Sequence, residues 1–132
     1  MKTILFICIE NSCRSQMAEG FAKNIGHGLW NAYSAGSKPS GAVNPTAVLV
    51  MKEIGIDITT YSSKGFDDLP VERFDFVVTL GCGDQCPFVP AEKHIDWNIP
   101  DPKNRDLAFF REVRDLIGQH VKQLAEDIKQ RG

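Results

Sequence analysis

Residues 2–8, "KTILFIC", form an apolar run with no polar alternation, the pattern of a short strand covered on both faces. The pattern then changes period. Met17, Phe21 and Ile25 recur at steps of four, which predicts a helix over 15–25. A second strand is predicted at 29–35, "LWNAYSA", ended by Gly36. Asn44-Pro45 reads as an N-cap followed by proline at the first helical position. Ala47, Val50, Met51 and Ile54 mark the buried face of that helix, and Gly55 closes it. "DFVVTL" (75–80) and "KHIDW" (93–97) predict two more strands. The last helix is the plainest: Phe110, Val113, Ile117, Val121, Leu124 and Ile128 recur at steps of three and four, with charges opposite.

Alternation of this kind predicts an α/β fold: a four-stranded parallel sheet with helices on both faces. Such sheets bind ligands beyond the carboxyl ends of their strands, where strand order reverses. Cys8, Cys82 and the loop around Asp101 each follow a predicted strand, so all three can meet on one edge.

Composition narrows the function classes. The 132 residues carry no repeat, linker or low-complexity tract, so a single domain over 1–132 is expected. With 24% charged residues and a formal net charge of −2, there is no basic excess for nucleic acid and no polybasic tract for a membrane surface. The apolar run at 2–8 is too short to span a bilayer, and Glu10 and Asn11 follow it without a small-residue cleavage site, so a cytoplasmic protein is expected. In a reducing compartment the four cysteines (8, 13, 82 and 86) are candidates for buried, metal-binding or catalytic thiols rather than a disulfide framework. A metal half-site at Cys82 and Cys86 lacks a second pair, and His27, His94 and His120 are scattered.

Cys8 and Arg14 stand as C-x5-R between the first strand and the first helix. Loop N–H groups and a helix start favour an oxyanion there, and Arg14 can add a planar bidentate fork. The same field favours a thiolate. A free thiol with a pKa of about 8.5 is only about 3% ionised at pH 7, and roughly 2.7 kcal/mol of stabilisation makes it mostly ionised. Ser15 could donate a further hydrogen bond to the sulfur. The competing reading is a buried core thiol beside a solvated arginine.

"CIENSCRSQMAEGFAK" (8–23) resembles the phosphate-binding loop of the low-molecular-weight tyrosine phosphatase superfamily. Within that superfamily it is most similar to the thioredoxin-coupled arsenate reductases, with their C-x-x-N-S-C-R-S-Q-M-A-E-G loop. The likeness continues in order through "YSAG" (33–36), "NPTAV" (44–48), "MKEIGIDI" (51–58), "VVTLGCGDQCP" (77–87), "DW" (96–97) and "DP" (101–102). The resemblance implies reduction of arsenate to arsenite, with Glu10, Asn11, Ser12, Cys13, Arg14 and Ser15 around the oxyanion. Reduction needs two electrons, and without a flavin or nicotinamide motif these must come from a dithiol. Cys82 and Cys86 are the candidates, with Gly81 and Gly83 leaving their loop free to move. The phosphatases usually follow their acidic aspartate with Pro-Tyr, whereas here Asp101-Pro102 is followed by Lys103, so the tyrosine wall of an aryl pocket is missing.

The mechanism implied by the resemblance makes Cys8 the nucleophile, Arg14 the oxyanion clamp and Asp101 the proton donor. Cys82 then attacks Cys8, and Cys86 resolves that bridge for thioredoxin or another thiol reductant. Bridged cysteines need alpha-carbons within roughly 7 Å, while a four-residue separation can extend to about 14 Å. The segment 81–90 must therefore turn or refold. Cys13 has two readings, a protective partner of Cys8 or a packed small residue. Asp96 and Trp97 are expected to fix the end of the fourth strand, and Trp30 and Tyr33 to be core. A phosphotyrosine phosphatase and a non-enzymatic thiol redox sensor are the alternatives.

Two positions depart from the family pattern. Glu10 replaces the phosphatases' glycine and should point outward, away from a bound anion. Some members hold potassium behind the loop; Asn11, Glu19 and Ser34 match three of its ligands, but Lys64 stands where an aspartate is needed. No resident cofactor is expected, potassium is in doubt, and a monomer is expected.

Overall fold

The computed structural model describes residues 2–26, 28–81 and 88–131. Strand β1 (Lys2–Cys8) leads through a loop into helix α1 (Arg14–Ile25), then strand β2 (Trp30–Gly36) and helix α2 (Pro45–Lys52). A 3-10 turn at Phe66–Asp68 precedes strand β3 (Phe74–Thr79), strand β4 (Ala91–Asp96) and the long helix α3 (Leu107–Arg131). The sheet runs β2-β1-β3-β4 with every pair parallel. From β1 the chain crosses to one side for β2 and to the other for β3, so strand order reverses at the carboxyl end of β1. Cys8 is the last residue of that strand, paired with Gly36.

The alternation of side chains across β1 divides the interior in two. Ile4, Phe6 and Cys8 join the larger core with Met17 and Phe21 of α1, Val50 and Met51 of α2, and Phe110, Ile117 and Val121 of α3. Leu5 and Ile7 face the other way, against Val77, Val89, Phe66 and Leu69. Among the described residues the three α-helices share one face, and the second is covered by the 3-10 turn and flanking chain, so the covering of both faces is unequal. All six apolar positions marked in the last helix are buried.

The caps follow the sequence. Asn44 Oδ1 accepts from the amides of Thr46 (2.8 Å) and Ala47 (3.3 Å), with Pro45 at the first helical position. At the other end, Ile56 N donates to Met51 O (3.0 Å) and Gly55 N to Lys52 O (3.0 Å), with Gly55 at φ +81°. This double bond is a Schellman closure, which favours glycine at the left-handed residue. Ile54 falls inside the closure and is exposed, contrary to its expected place on the buried face.

Strand β4 starts at Ala91, two residues before the expected 93. Its exposed Glu92, Lys93 and His94 give an edge strand without a strong apolar signal. Thr79 Oγ1 donates to Asp96 Oδ1 (2.6 Å) and Trp97 N to Thr79 O (2.9 Å), so Asp96 and Trp97 do fix this strand end. Trp30 is core, and its Nε1 donates to Ala22 O (2.8 Å). Tyr33 is only half-buried, edge-on to Phe74. His94 stacks on Phe88 and His120 on Trp97; His27 lies outside the described residues. Among the described residues no helix is long and apolar enough to cross a membrane.

Candidate active site

After Cys8 the chain must turn sharply to start α1, and Asn11 makes the turn at φ +51°. Asparagine tolerates this left-handed region better than most residues, and here its surroundings over-determine it. Asn11 Nδ2 donates to Ser15 Oγ (2.7 Å), while Asn11 Oδ1 accepts from Gln16 Nε2 (2.8 Å) and the Lys64 amide (2.8 Å). Gln16 Nε2 also donates to Asn11 O (3.0 Å) and Ser62 O (2.8 Å). Both Asn11 and Gln16 are fully buried.

Three of the loop carbonyls are held by partners from outside the loop. Ile9 O accepts from Lys38 N (2.8 Å), Glu10 O from Ser40 N (3.1 Å) and Ser63 Oγ (2.7 Å), and Ser12 O from Asn44 N (2.9 Å). A trans peptide sends its C=O and the next N–H in opposite directions. With the carbonyls drawn outward, the amides that follow them turn away from these partners, as a bound anion requires. Gly36 permits this packing, since a Cβ there would lie 2.5 Å from Ile9 O.

Cys8 Sγ lies 2.9 Å from Ser15 Oγ, buried. Ser15 Oγ also accepts from Asn11 Nδ2, which anchors the hydroxyl beside the sulfur and lets it donate to a Cys8 thiolate. Arg14, on the first turn of α1, is 5% exposed, which rules out the solvated-arginine reading. Its Nη1 donates to Ile99 O (3.0 Å), and its Nη2 stands 3.8 Å from Asp101 Oδ2. Gly81 permits this approach. At φ +81°, a Cβ on Gly81 would come within 2.7 Å of both Arg14 Nη1 and Ile99 O.

Cys8, Ile9, Glu10, Ser12, Cys13, Arg14, Asp101 and Lys103 together line a cavity of about 50 Å³. Its small size and polar lining suit a compact anion such as a tetrahedral oxyanion. The Cys13 thiol is pushed up to about 12, chiefly by burial and further by Asp101 and Cys8, against the Ser12 hydrogen bond and Arg14. It is a protonated thiol at neutral pH, which favours the packed small residue of its two readings. Asp101 is half exposed, with Oδ1 accepting from the Lys103 amide (3.0 Å). Glu10 lines the cavity, and its carboxylate pairs with Lys103 Nζ (2.6 and 2.8 Å).

Behind the loop, Ser34 Oγ donates to Glu19 Oε1 (2.5 Å) and Lys23 Nζ to Glu19 Oε2 (2.8 Å). Lys64 Nζ lies 3.6 Å from Glu19 Oε1, 3.5 Å from Ser34 Oγ and 3.2 Å from Ser62 O. These residues do not fit potassium. Each Glu19 oxygen already faces an ammonium, and Asn11 Oδ1 already takes two donors. Among the described residues, no group of three His, Cys, Asp or Glu side chains could hold a metal.

Cys8, Arg14, Asp101 and the loop residues thus converge. Cys82, Gly83 and Cys86 lie outside the described residues. Gln16, the Ile99 carbonyl and Lys103 complete the site without having been assigned to it from sequence. Gln16 lies within the loop motif, but a carbonyl has no residue-type signature, and in sequence Lys103 shows only the absence of a tyrosine.

The low molecular weight phosphotyrosine protein phosphatase family profile matches residues 3–132. Arsenate reductase 2 of Staphylococcus saprophyticus is 45% identical over 130 residues, covering 96% of this chain and 98% of that protein. The arsenate reductase of Halalkalibacterium halodurans is 46% identical, covering 95% of this chain and 96% of that protein. Among solved structures, an arsenate reductase in the phosphate binding state superposes with a TM-score of 0.87 at 40% identity, covering 97% of this chain and 99% of that one. The thioredoxin-dependent arsenate reductase of Corynebacterium glutamicum gives 0.82 at 26% identity, covering 100% of this chain and 64% of that one.

Proposed function

The chain belongs to the low molecular weight phosphotyrosine protein phosphatase family, and from that premise we propose that it reduces arsenate to arsenite with thiol electrons. The observation that carries this reading is the convergence of Cys8, Arg14 and Asp101 on one oxyanion-sized cavity, in a chain whose relatives are arsenate reductases.

In the reaction, the Cys8 sulfur attacks arsenic held by the loop amides and Arg14, while Asp101 protonates the departing oxygen, which leaves as water. Cys82 attacks the Cys8 sulfur. The arsenic–sulfur bond breaks with its electron pair going to arsenic, arsenite leaves, and a Cys8–Cys82 disulfide remains. Cys86 then displaces Cys8 from Cys82, and an external dithiol, thioredoxin by analogy with the relatives, reduces Cys82–Cys86. The scheme needs no resident cofactor and no potassium, works within a monomer, and suits a reducing cytoplasm.

Phosphotyrosine hydrolysis would use the same first step. The small cavity counts against it, and so does Lys103, whose side chain is tied to Glu10 where the phosphatases place a tyrosine. The deciding experiment offers arsenate with thioredoxin, glutaredoxin or a small thiol in separate assays, beside an aryl phosphate without reductant. Arsenite formation driven by one donor is expected. Aryl phosphate turnover alone would assign a phosphatase, and oxidation-dependent change with no turnover of either oxyanion would assign a redox sensor. In single turnover, Cys86→Ser should release one arsenite per protein and stop as a Cys8–Cys82 disulfide, whereas Cys82→Ser should release little.

A further inference from the structure

The ion pair at the mouth of the Cys8 cavity has no part in the reaction scheme. Lys103 Nζ donates to both Glu10 carboxylate oxygens, at 2.8 and 2.6 Å, across 93 residues of chain. Glu10 belongs to the oxyanion loop, and Lys103 follows Asp101 by two residues. Both residues line the cavity. Glu10 is 33% and Lys103 43% exposed, so the pair stands in contact with solvent at the cavity mouth.

Left alone, Glu10 would set a full negative charge at the entrance to a site for a di-anion. The structure answers that charge with a single cation, held at both carboxylate oxygens. The Lys103 pKa is raised, first by its hydrogen bond to Glu10, so the ammonium persists throughout the neutral range. The same residue acts through its backbone, since its amide donates to Asp101 Oδ1 at 3.0 Å. The Glu10–Lys103 pair therefore ties the oxyanion loop to the segment that carries the proposed proton donor. Arg14 makes the other tie, through Ile99 O and Asp101.

We propose that Lys103 is a positioning and affinity-setting residue of the oxyanion site: its side chain masks the Glu10 charge at the entrance, and its amide, steadied by that pair, orients the Asp101 carboxylate. This rests on the reductase reading for its catalytic part alone, because the masking applies to any tetrahedral di-anion.

The test uses inorganic phosphate as a binding probe and arsenate as substrate, on the reduced full-length chain. In Lys103→Met, phosphate Kd and arsenate KM should each rise about three- to tenfold, since Glu10 is unmasked. Adding Glu10→Gln should restore both, because the unmasked carboxylate is gone, while kcat stays lowered because Asp101 is no longer steadied. A Glu10→Lys/Lys103→Glu exchange, which rebuilds the pair in reverse, should recover part of that kcat. Unchanged phosphate Kd in Lys103→Met, or a loss that Glu10→Gln does not repair, would overturn the masking. An unchanged kcat in the double variant would overturn the positioning role. If wild type binds phosphate and the variants behave as stated, yet arsenate is not reduced, the reductase reading fails and the masking stands.

Discussion

Ser15 Oγ stands 2.9 Å from Cys8 Sγ and is held from its other side by Asn11 Nδ2 at 2.7 Å, so its proton is free to serve the sulfur when Cys8 is a thiolate. The nucleophile is thereby held beside a fixed hydroxyl in the first turn of α1. Ser15→Ala should slow arsenate reduction about tenfold or more, and alkylation of Cys8 at pH 7 by a similar factor, with little change in phosphate Kd. Cys8→Ser should be inactive while still binding phosphate. Appreciable turnover by Cys8→Ser would remove it as the nucleophile.

Arg14→Lys keeps a positive charge but cannot hold Ile99 O and still present a fork to the oxyanion. Arsenate kcat/KM should fall at least about a hundredfold, with phosphate binding weakened in parallel. Calorimetry and steady-state rates on one preparation would check both.

The ammonium of Lys64 sits beside buried Glu19 and Ser34, so an external cation has nothing to add. Exchange of potassium for sodium at constant ionic strength should leave Tm and KM unchanged. Lys64→Met removes one of two cations from Glu19 and should cost about 1–3 kcal/mol. That corresponds to a Tm lower by roughly 3–10 °C for a chain of this size. A potassium-specific rise in wild-type Tm would contradict this.

Cys13 should mark the alkaline limb of stability. Burial holds its folded pKa up at about 12, above an unfolded value near 9.0. Below pH 9 both states keep the proton and the contribution is fully present. As pH rises from 9 towards 12, the unfolded chain releases the proton first and stability is lost, by up to about 4 kcal/mol. Cys13→Ala should flatten that limb, measured as Tm against pH for the two proteins side by side. At pH 8, alkylation of the reduced native chain should spare Cys13.

The sheet and the last helix were legible because their signals are local. An unbroken apolar run can hardly be placed other than inside, and six apolar residues on one helical stripe need a partner surface. β4 was read short because an edge strand buries little, and Ile54 was misplaced because the Schellman closure turns it out of the helical stripe. In the site, the residues that bear chemistry in their own side chains were legible: Cys8, Arg14 and Asp101. Gln16, Ile99 and Lys103 were not, since each acts through a contact that only the folded chain creates. Lys64 was ambiguous because the sequence shows a missing ligand and cannot show an ammonium in its place.

The outward bonds of the loop carbonyls have a consequence for amide hydrogen exchange. Lys38, Ser40 and Asn44 lend their amides to the loop, so those protons can exchange only when the floor of the pocket opens. Their protection in the ligand-free protein measures how rigidly the pocket stands before any anion arrives. If it matches the protection of β1, the cradle is as durable as the strand it grows from, and the oxyanion meets a mould that was cast during folding.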